Sequence, residues 1–417
     1  MKKKLSLTSK ILLGLFLGAI MGLILQNISN EFIKNTLLLD GIFKIIGDSF
    51  LNAIKMLVVP LVLTSLACGS SSLGDIKKIG RIGGKTIIFY LFTTAAAITI
   101  SILLALVIRP GNGLDMSSVV TQAPTINENK SFVEILIAMI PTNPFKAMVE
   151  GDMLQIIVFA LLLGTAMSLI GEKAEPFQKF MQSTNDVCMK IIDLIMECAP
   201  YGVFALIAST FAKTGFDAML PLLKYMFTIL LALAVQGSLV YSLLLKLFTR
   251  LKLKPFFKRF TKIAAVTFST SSSSASLPVT TETMTEAGVS NSIGSFTLPL
   301  GATINMDGTA IMQGVASIFI SQVYGIDIGV SGILTIIFTA TLASIGTAGV
   351  PGVGMVMLSM VLQSVGLPLE GIALILGVDR ILDMCRTTIN VMGDCVCTLI
   401  VSKSEKEFNE EKYYTFD

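Results

Sequence analysis

Long apolar runs recur along this chain, and its charges stand between them in short islands. That segregation limits the possible folds more than any single motif does. Charged residues make up 14% of the 417 positions and hydrophobic ones 53%, whereas a soluble domain carries about 25% charged residues. A soluble helical bundle would spread charge over amphipathic faces. Charge confined to islands predicts an all-α polytopic membrane protein. Spans are expected near residues 8–27, 42–68, 86–108, 131–170, 187–212 and 221–247. The fourth is interrupted by "IPTNPF", whose two prolines remove backbone donors and exclude one straight helix. The first run, "ILLGLFLGAIMGLIL", has no small-residue cleavage site after it and reads as a retained span, not a signal peptide.

The basic islands orient the chain. "MKKK", "KKIGRIGGK" and "KLFTRLKLKPFFKRFTK" lie on one side if spans alternate, and the polar "RPGNGLDMSSVVTQAPTINENK" lies on the other. The positive-inside rule assigns the N-terminus and these islands to the cytoplasm. The third island holds seven positive charges and no acid, but the strong spans flanking it argue against a nucleic-acid patch. Cysteines 68, 188, 198, 385, 395 and 397 are scattered, and the chain has no histidine. Cys395 and Cys397 therefore read as packing residues instead of metal ligands.

After the third island the pattern changes to "TSSSSASLPVT", "GATINMDGTA", "ASIGTAGVPGVG" and "DRILDMCRTTINVMGD". Ala275-Ser276-Leu277-Pro278 parallels Ala348-Gly349-Val350-Pro351, and Ile304-Asn305-Met306-Asp307-Gly308 parallels Ile389-Asn390-Val391-Met392-Gly393-Asp394. Paired interrupted segments in two halves point to a transporter's binding site. Irregular backbone at membrane depth is tolerated only in protein or beside a wet cavity. Its free N–H groups suit a carboxylate, and its free carbonyls suit a cation. Close helix packing by small residues is the alternative reading.

The last island carries five formal charges, on Asp379, Arg380, Asp383, Arg386 and Asp394. At about 100° per residue, Asp379, Asp383, Arg386, Thr387, Asn390 and Asp394 share one stripe, with Arg380 at its edge. Each charge at the bilayer centre costs about 2.5–3.5 kcal/mol, so five unpaired would cost about 15 kcal/mol. A structural ion-pair seam would offset that cost, as would a charged-ligand pathway, and only the pathway accounts for Thr387, Asn390 and the broken segments. Arg386 offers a planar fork for a carboxylate, and Asp383 accepts from an ammonium group. Together they suit an acidic amino acid. Asp394 lies about 16 Å along the axis from Asp383, too far for the same small ligand, and is a cation candidate. Asp307, with Asn305 beside it, is another.

"NMDGT", "GTAGVPG" and "DMCRTTINVMGD", supported by "SSSSASLPVT", "IPTNPF" and "PYGVF", closely resemble the glutamate transporter family of dicarboxylate/amino acid:cation symporters. The resemblance covers essentially the whole chain. It implies eight transmembrane helices plus two re-entrant helical hairpins, at about 258–290 and 330–366, with inverted repeats. It also implies a homotrimer of elevator protomers in the cytoplasmic cell membrane, both termini in the cytoplasm. Residues 1–75 would form scaffold and trimerisation helices 1–2, and 76–130 transport-domain helix 3 with an external loop. Residues 131–220 would supply scaffold helices 4–5, and 221–417 the rest of the transport domain.

The resemblance assigns Arg386 to the side-chain carboxylate of L-aspartate or L-glutamate and Asp383 to its amino group. Ser271, Ser273, Met306, Thr309, Val350, Thr387 and Asn390 would complete that site. Three sodium sites are implied. Asp394 would share one with Gly301, Asn305 and Asn390. Thr303, Ser344, Ile345 and Thr347 would form the second, and Tyr90, Thr93, Thr94, Asn305 and Asp307 the third. Where some members carry an arginine in the hairpin-one tip, this chain has Ser271, and Arg380 is the candidate replacement. Members carrying neutral amino acids lack the arginine matching Arg386, and C4-dicarboxylate carriers lack the aspartate matching Asp383. Having both favours an acidic amino acid. A channel is the rival function, and a tight zwitterion site would slow conduction. A hydrolase lacks a histidine base and a Gly-x-Ser-x-Gly elbow. Proton coupling is the alternative to sodium.

Overall fold

The computed structural model describes residues 7–28, 30–72, 76–114, 116, 137, 139–215, 219–345 and 353–415. Among them, six helical runs are long and apolar enough to cross a membrane: Ser9–Gln26, Phe32–Ser71, Arg81–Ile108, Leu154–Glu197, Met219–Thr249 and Leu369–Ser404. The chain is an all-α, multi-pass membrane protein. Gly329–Ser344 and Val353–Ser364 are apolar but shorter.

Several runs bend where the sequence withholds a donor. Pro60 has no N–H for the Met56 carbonyl, so Lys44–Met56 ends at Leu57 and Val58–Ser72 follows. Pro200 has none for Met196, and the expected 187–212 span is instead two helices, Glu175–Glu197 and Ala199–Thr214. The second run starts before residue 42, because a π-helical segment, Phe32–Phe43, carries the polar Lys34, Asn35 and Asp40 into it. "IPTNPF" does interrupt its run, with Asn143 accepting from the Phe145 and Lys146 amides to cap Pro144–Glu150. A second break follows at Gly151 (φ 70°), and Asp152 caps Met153–Ile170.

The first helix, Leu7–Gln26, packs along Ala199–Thr214 through Gly14, Gly18 and Gly22. These are spaced for close helix approach. A methyl at Gly18 would meet the Phe204 carbonyl oxygen at 2.7 Å, and one at Gly22 the Ala208 oxygen at 2.6 Å. Because the obstacle is backbone, Gly18→Val is expected to destabilise by about 1–3 kcal/mol. Its thermal unfolding midpoint in detergent should fall, while that of Gly84→Ala, where a methyl meets nothing within 4 Å, should hold. Equal midpoints would show that this seam contributes little. Elsewhere, Val58–Ser72 packs on Met153–Ile170, and Ile76–Ile108 lies along Asp307–Val323.

In the second half, Leu253–Thr270 and Ser273–Glu286 pack as a pair. The chain reverses at Ser271, whose φ of 50° is left-handed, and Ser272 caps the second helix by accepting from the Ala275 amide (3.2 Å). Asn291–Ile304 and Asp307–Val323 are separated by non-helical backbone at Asn305 and Met306. Gly329–Ser344 and Val353–Ser364 form another packed pair. Residues 346–352 between them, including Thr347 and Val350, lie outside the described residues. The last long helix is Ile372–Ser404.

Beyond it the chain doubles back on the open end of the first pair. Lys406 turns at φ 61°, the Asn409 amide donates to the Gly288 carbonyl (2.8 Å), and Ser290 N–H donates to the Glu407 carbonyl (3.2 Å). Tyr413 is fully buried, and its hydroxyl donates to the Lys252 carbonyl at 2.9 Å.

Candidate functional site

Four charges on Ile372–Ser404 form a chain of alternating sign. Arg386 Nη1 donates to Asp379 Oδ1 at 2.6 Å, and Nη2 donates to Asp383 Oδ1 at 2.8 Å. Arg380 Nη1 donates to Asp383 Oδ2 at 3.3 Å. Arg386 is 1% exposed, and Asp379 and Asp383 are 8% exposed, so the stripe faces protein. The ion-pair seam considered from sequence is therefore present. Its outer edge, however, borders a partly open cleft. Asp379, Arg380 and Asp383 line it together with apolar side chains that include Ile54, Leu57 and Met196. Arg386 Nε is buried without a hydrogen-bond partner.

The break at Asn305–Met306 is held against this helix. Gly308 packs so closely on the Arg386 backbone that a methyl would lie 2.5 Å from its carbonyl oxygen. The Gly308 amide donates to Asn390 Oδ1 (2.7 Å), and Asn390 Nδ2 approaches Met306 Sδ at 3.4 Å. A methyl at Gly354 would sit 3.4 Å from both Arg386 Nη2 and Thr309 Cγ2. Met306, Thr309, Asp383, Arg386 and Asn390 are thus gathered in one buried region. Thr387, also buried, donates to the Asp383 carbonyl (2.9 Å). Ser271 and Ser273 are buried at the tip of the first pair, and no hydrogen bond joins them to Asp383 or Arg386 among the described residues. The nearest tie from that pair is Thr267 to Thr388, at 3.3 Å.

Two oxygen-rich clusters lie deeper. Asn305 Nδ2 donates to the Asn390 carbonyl (2.7 Å) and to Asp394 Oδ1 (2.9 Å). Gly301 packs directly against Asp394 and Tyr90 Oη. Asp307, fully buried, accepts from Thr94 Oγ1 (2.6 Å), Gln236 Nε2 (3.0 Å) and Tyr241 Oη (2.7 Å). Thr93 Oγ1 lies 3.2 Å from the Tyr90 carbonyl, to which it donates. Asn305 Oδ1 is buried with no partner, an unsatisfied oxygen of the kind a hard cation takes. Among the described residues no cluster of three or more His, Cys, Asp or Glu side chains is suited to a metal. A cation here would rely on single carboxylates with amide, hydroxyl and carbonyl oxygens. Thr303 donates to the Leu300 carbonyl (2.9 Å) and Ser344 to that of Thr341 (2.8 Å). Ile345 ends the helix Gly329–Ser344, and Thr347 lies outside the described residues, so the second cation group is not assembled among them.

The profile of the sodium:dicarboxylate symporter family matches residues 7–404. This chain belongs to that family. The chain is 38% identical over 417 residues to a proton/sodium-glutamate symport protein of Geobacillus stearothermophilus, covering 98% of this chain and 97% of that protein. It is 37% identical to a proton/glutamate-aspartate symporter of Escherichia coli K12, covering 99% and 96%. A C4-dicarboxylate transport protein of Bacillus subtilis is 32% identical, with 99% and 96% covered. As a member of the symporter family, the chain is a secondary transporter, not an enzyme.

Gln236 and Tyr241 were not expected from sequence at this symporter's buried carboxylate. Gln236 opens a π-helical turn, Gln236–Val240, that interrupts Met219–Thr249, and Tyr241 follows it directly. Such turns recur at functional sites because the extra residue re-aims side chains. The available signal was a glutamine inside "LALAVQGSLVYS", an apolar run otherwise lacking amide side chains.

Proposed function

We propose that this protein imports an acidic amino acid, L-aspartate or L-glutamate, by symport with sodium. The observation carrying the reading is the buried Asp383–Arg386 pair at 2.8 Å on the helix face that meets the broken segment. A zwitterion with a second carboxylate matches both charges: its ammonium for Asp383, its side-chain carboxylate for Arg386. Met306, Thr309, Thr387 and Asn390 line the same region, Ser271 and Ser273 complete the proposed site from the tip of the first helix pair, and Val350 is assigned to it as well. The names of the relatives, which include glutamate and aspartate symporters, agree with this choice.

Three sodium sites are proposed as part of the cargo. Asp394, Gly301, Asn305 and Asn390 form one, and Tyr90, Thr93, Thr94, Asn305 and Asp307 another. Thr303, Ser344, Ile345 and Thr347 form the third. The unpartnered Asn305 oxygen supports the first two. The working unit is a homotrimer of elevators in a prokaryotic cytoplasmic membrane, with both termini in the cytoplasm. Eight spanning helices and two re-entrant hairpins, arranged as inverted repeats, build each protomer. Packing supports a division into a scaffold (1–75 and 131–220) and a moving body (76–130 and 221–417). The first helix packs on Ala199–Thr214, whereas Ile76–Ile108 packs on Asp307–Val323.

Uptake of labelled aspartate, glutamate and serine into proteoliposomes tests the reading. Aspartate or glutamate is expected to accumulate under an inward sodium gradient, and serine to lag far behind. The E. coli relative, a proton/glutamate-aspartate symporter, makes proton coupling the alternative. Accumulation driven by a proton gradient in sodium-free buffer would establish it and overturn the sodium assignment.

A further inference from the structure

The recognition pair has a second, outer pair beside it, Asp379 and Arg380. Asp379 holds Nη1 of Arg386, and Arg380 holds Oδ2 of Asp383. The inner contact uses the remaining atoms, Arg386 Nη2 and Asp383 Oδ1. Nε and Nη2 share one edge of a guanidinium, and Nε is the buried nitrogen without a partner. If Asp383 releases Nη2, that whole edge is presented to an incoming carboxylate as a two-point donor. Nη1 stays anchored throughout.

Parting a buried ion pair is ordinarily unfavourable, because each charge is left uncompensated. Here neither is. Arg386 keeps Asp379, and Asp383 keeps Arg380, while the inner contact exchanges for the ligand's carboxylate and ammonium. The four side chains carry two charges of each sign, so the cluster is neutral before the exchange and takes up only the ligand's own charge. We propose that Asp379 and Arg380 are positioning residues, reserve counter-ions that let the Asp383–Arg386 pair open to the ligand and fix which charge the site accepts. This rests on the reading of Asp383 and Arg386 as the recognition pair.

The test compares how well unlabelled aspartate and succinate, which lacks the ammonium group, displace labelled aspartate from the purified protein. The variants are Asp379→Asn, Arg380→Gln and the two together. Asp379→Asn leaves one excess positive charge and should shift selectivity toward doubly anionic succinate by about tenfold. Arg380→Gln leaves one excess negative charge and should shift it the other way by a similar factor. The double variant restores neutrality, and its selectivity should return toward that of the wild type. A purely structural role predicts weaker binding of both ligands with unchanged selectivity, and a double variant worse than either single. That result would overturn the proposal, as would single variants shifting in the same direction. Asp383→Asn separates the two readings: if it alters selectivity while the outer variants do not, only the reserve role fails. If it too leaves selectivity unchanged, the recognition pair itself is misassigned. Should one single variant fail to fold, the remaining single variant's shift and its cancellation in the double variant still decide.

Discussion

Replacing Arg386 with alanine is expected to abolish uptake of aspartate and glutamate while sparing weak uptake of a neutral amino acid. Among the described residues, the guanidinium is the one buried cation within hydrogen-bonding distance of both Asp379 and Asp383. Truncating one partner of a buried, hydrogen-bonded charge pair costs about 2–5 kcal/mol, or roughly 30- to several-thousand-fold in affinity. Two carboxylates are also left facing each other, with Arg380 beside Asp383, so part of the loss falls on the protein and not the ligand. Arg386→Lys keeps the charge but loses the fork, and it should recover folding without recovering full affinity. Uptake of labelled aspartate and serine by the three proteins checks this. Aspartate transport unchanged in the alanine variant would rule out the proposed carboxylate site.

The second large effect is expected at Asp307. Asp307→Asn should raise the sodium concentration for half-maximal uptake by about tenfold or more, on the scale of losing one buried charge beside a cation. Three donors converge on this carboxylate from two other helices. An amide presents only one accepting oxygen to them and turns a donor against donors, so a fall in thermal midpoint is expected as well. Tyr241→Phe removes one donor while retaining the charge and should have a smaller effect on sodium. Uptake measured against sodium concentration at fixed aspartate separates the two. Identical sodium curves for Asp307→Asn and the wild type would remove Asp307 from the cation sites.

The site's inner face was legible because a long regular helix maps sequence spacing directly onto space. Asp383 and Arg386, one turn apart, do meet, and Asn390 does reach the Asn-Met-Asp break. The same regularity concealed Gln236 and Tyr241. Five residues apart, they fall about 140° from each other on an α-helix, and only the π turn brings both to the same carboxylate oxygen. Asp379 shares the stripe, but its choice of Arg386 two turns away over a nearer partner depends on side-chain reach, which spacing alone does not determine. Helix breaks at Leu57 and Cys198 follow from prolines visible in the sequence, although each stretch is apolar enough to pass for one straight span. The tail's return to the first helix pair is encoded in no local pattern, since Tyr413 finds its pocket 161 positions from Lys252.

The glycine seam of the first helix has a consequence for biogenesis. Gly14 waits for Pro200, which leaves the ribosome 186 residues later. In the interval the newborn helix must reside in lipid with its flat side unmet. Leu13, Phe16, Leu17 and Ile24 remain exposed on the folded protomer, so the segment keeps an apolar outer face after its partner helix arrives. Completion of the fifth apolar stretch, rather than insertion of the first, is then the step that commits this part of the nascent protein to its final arrangement.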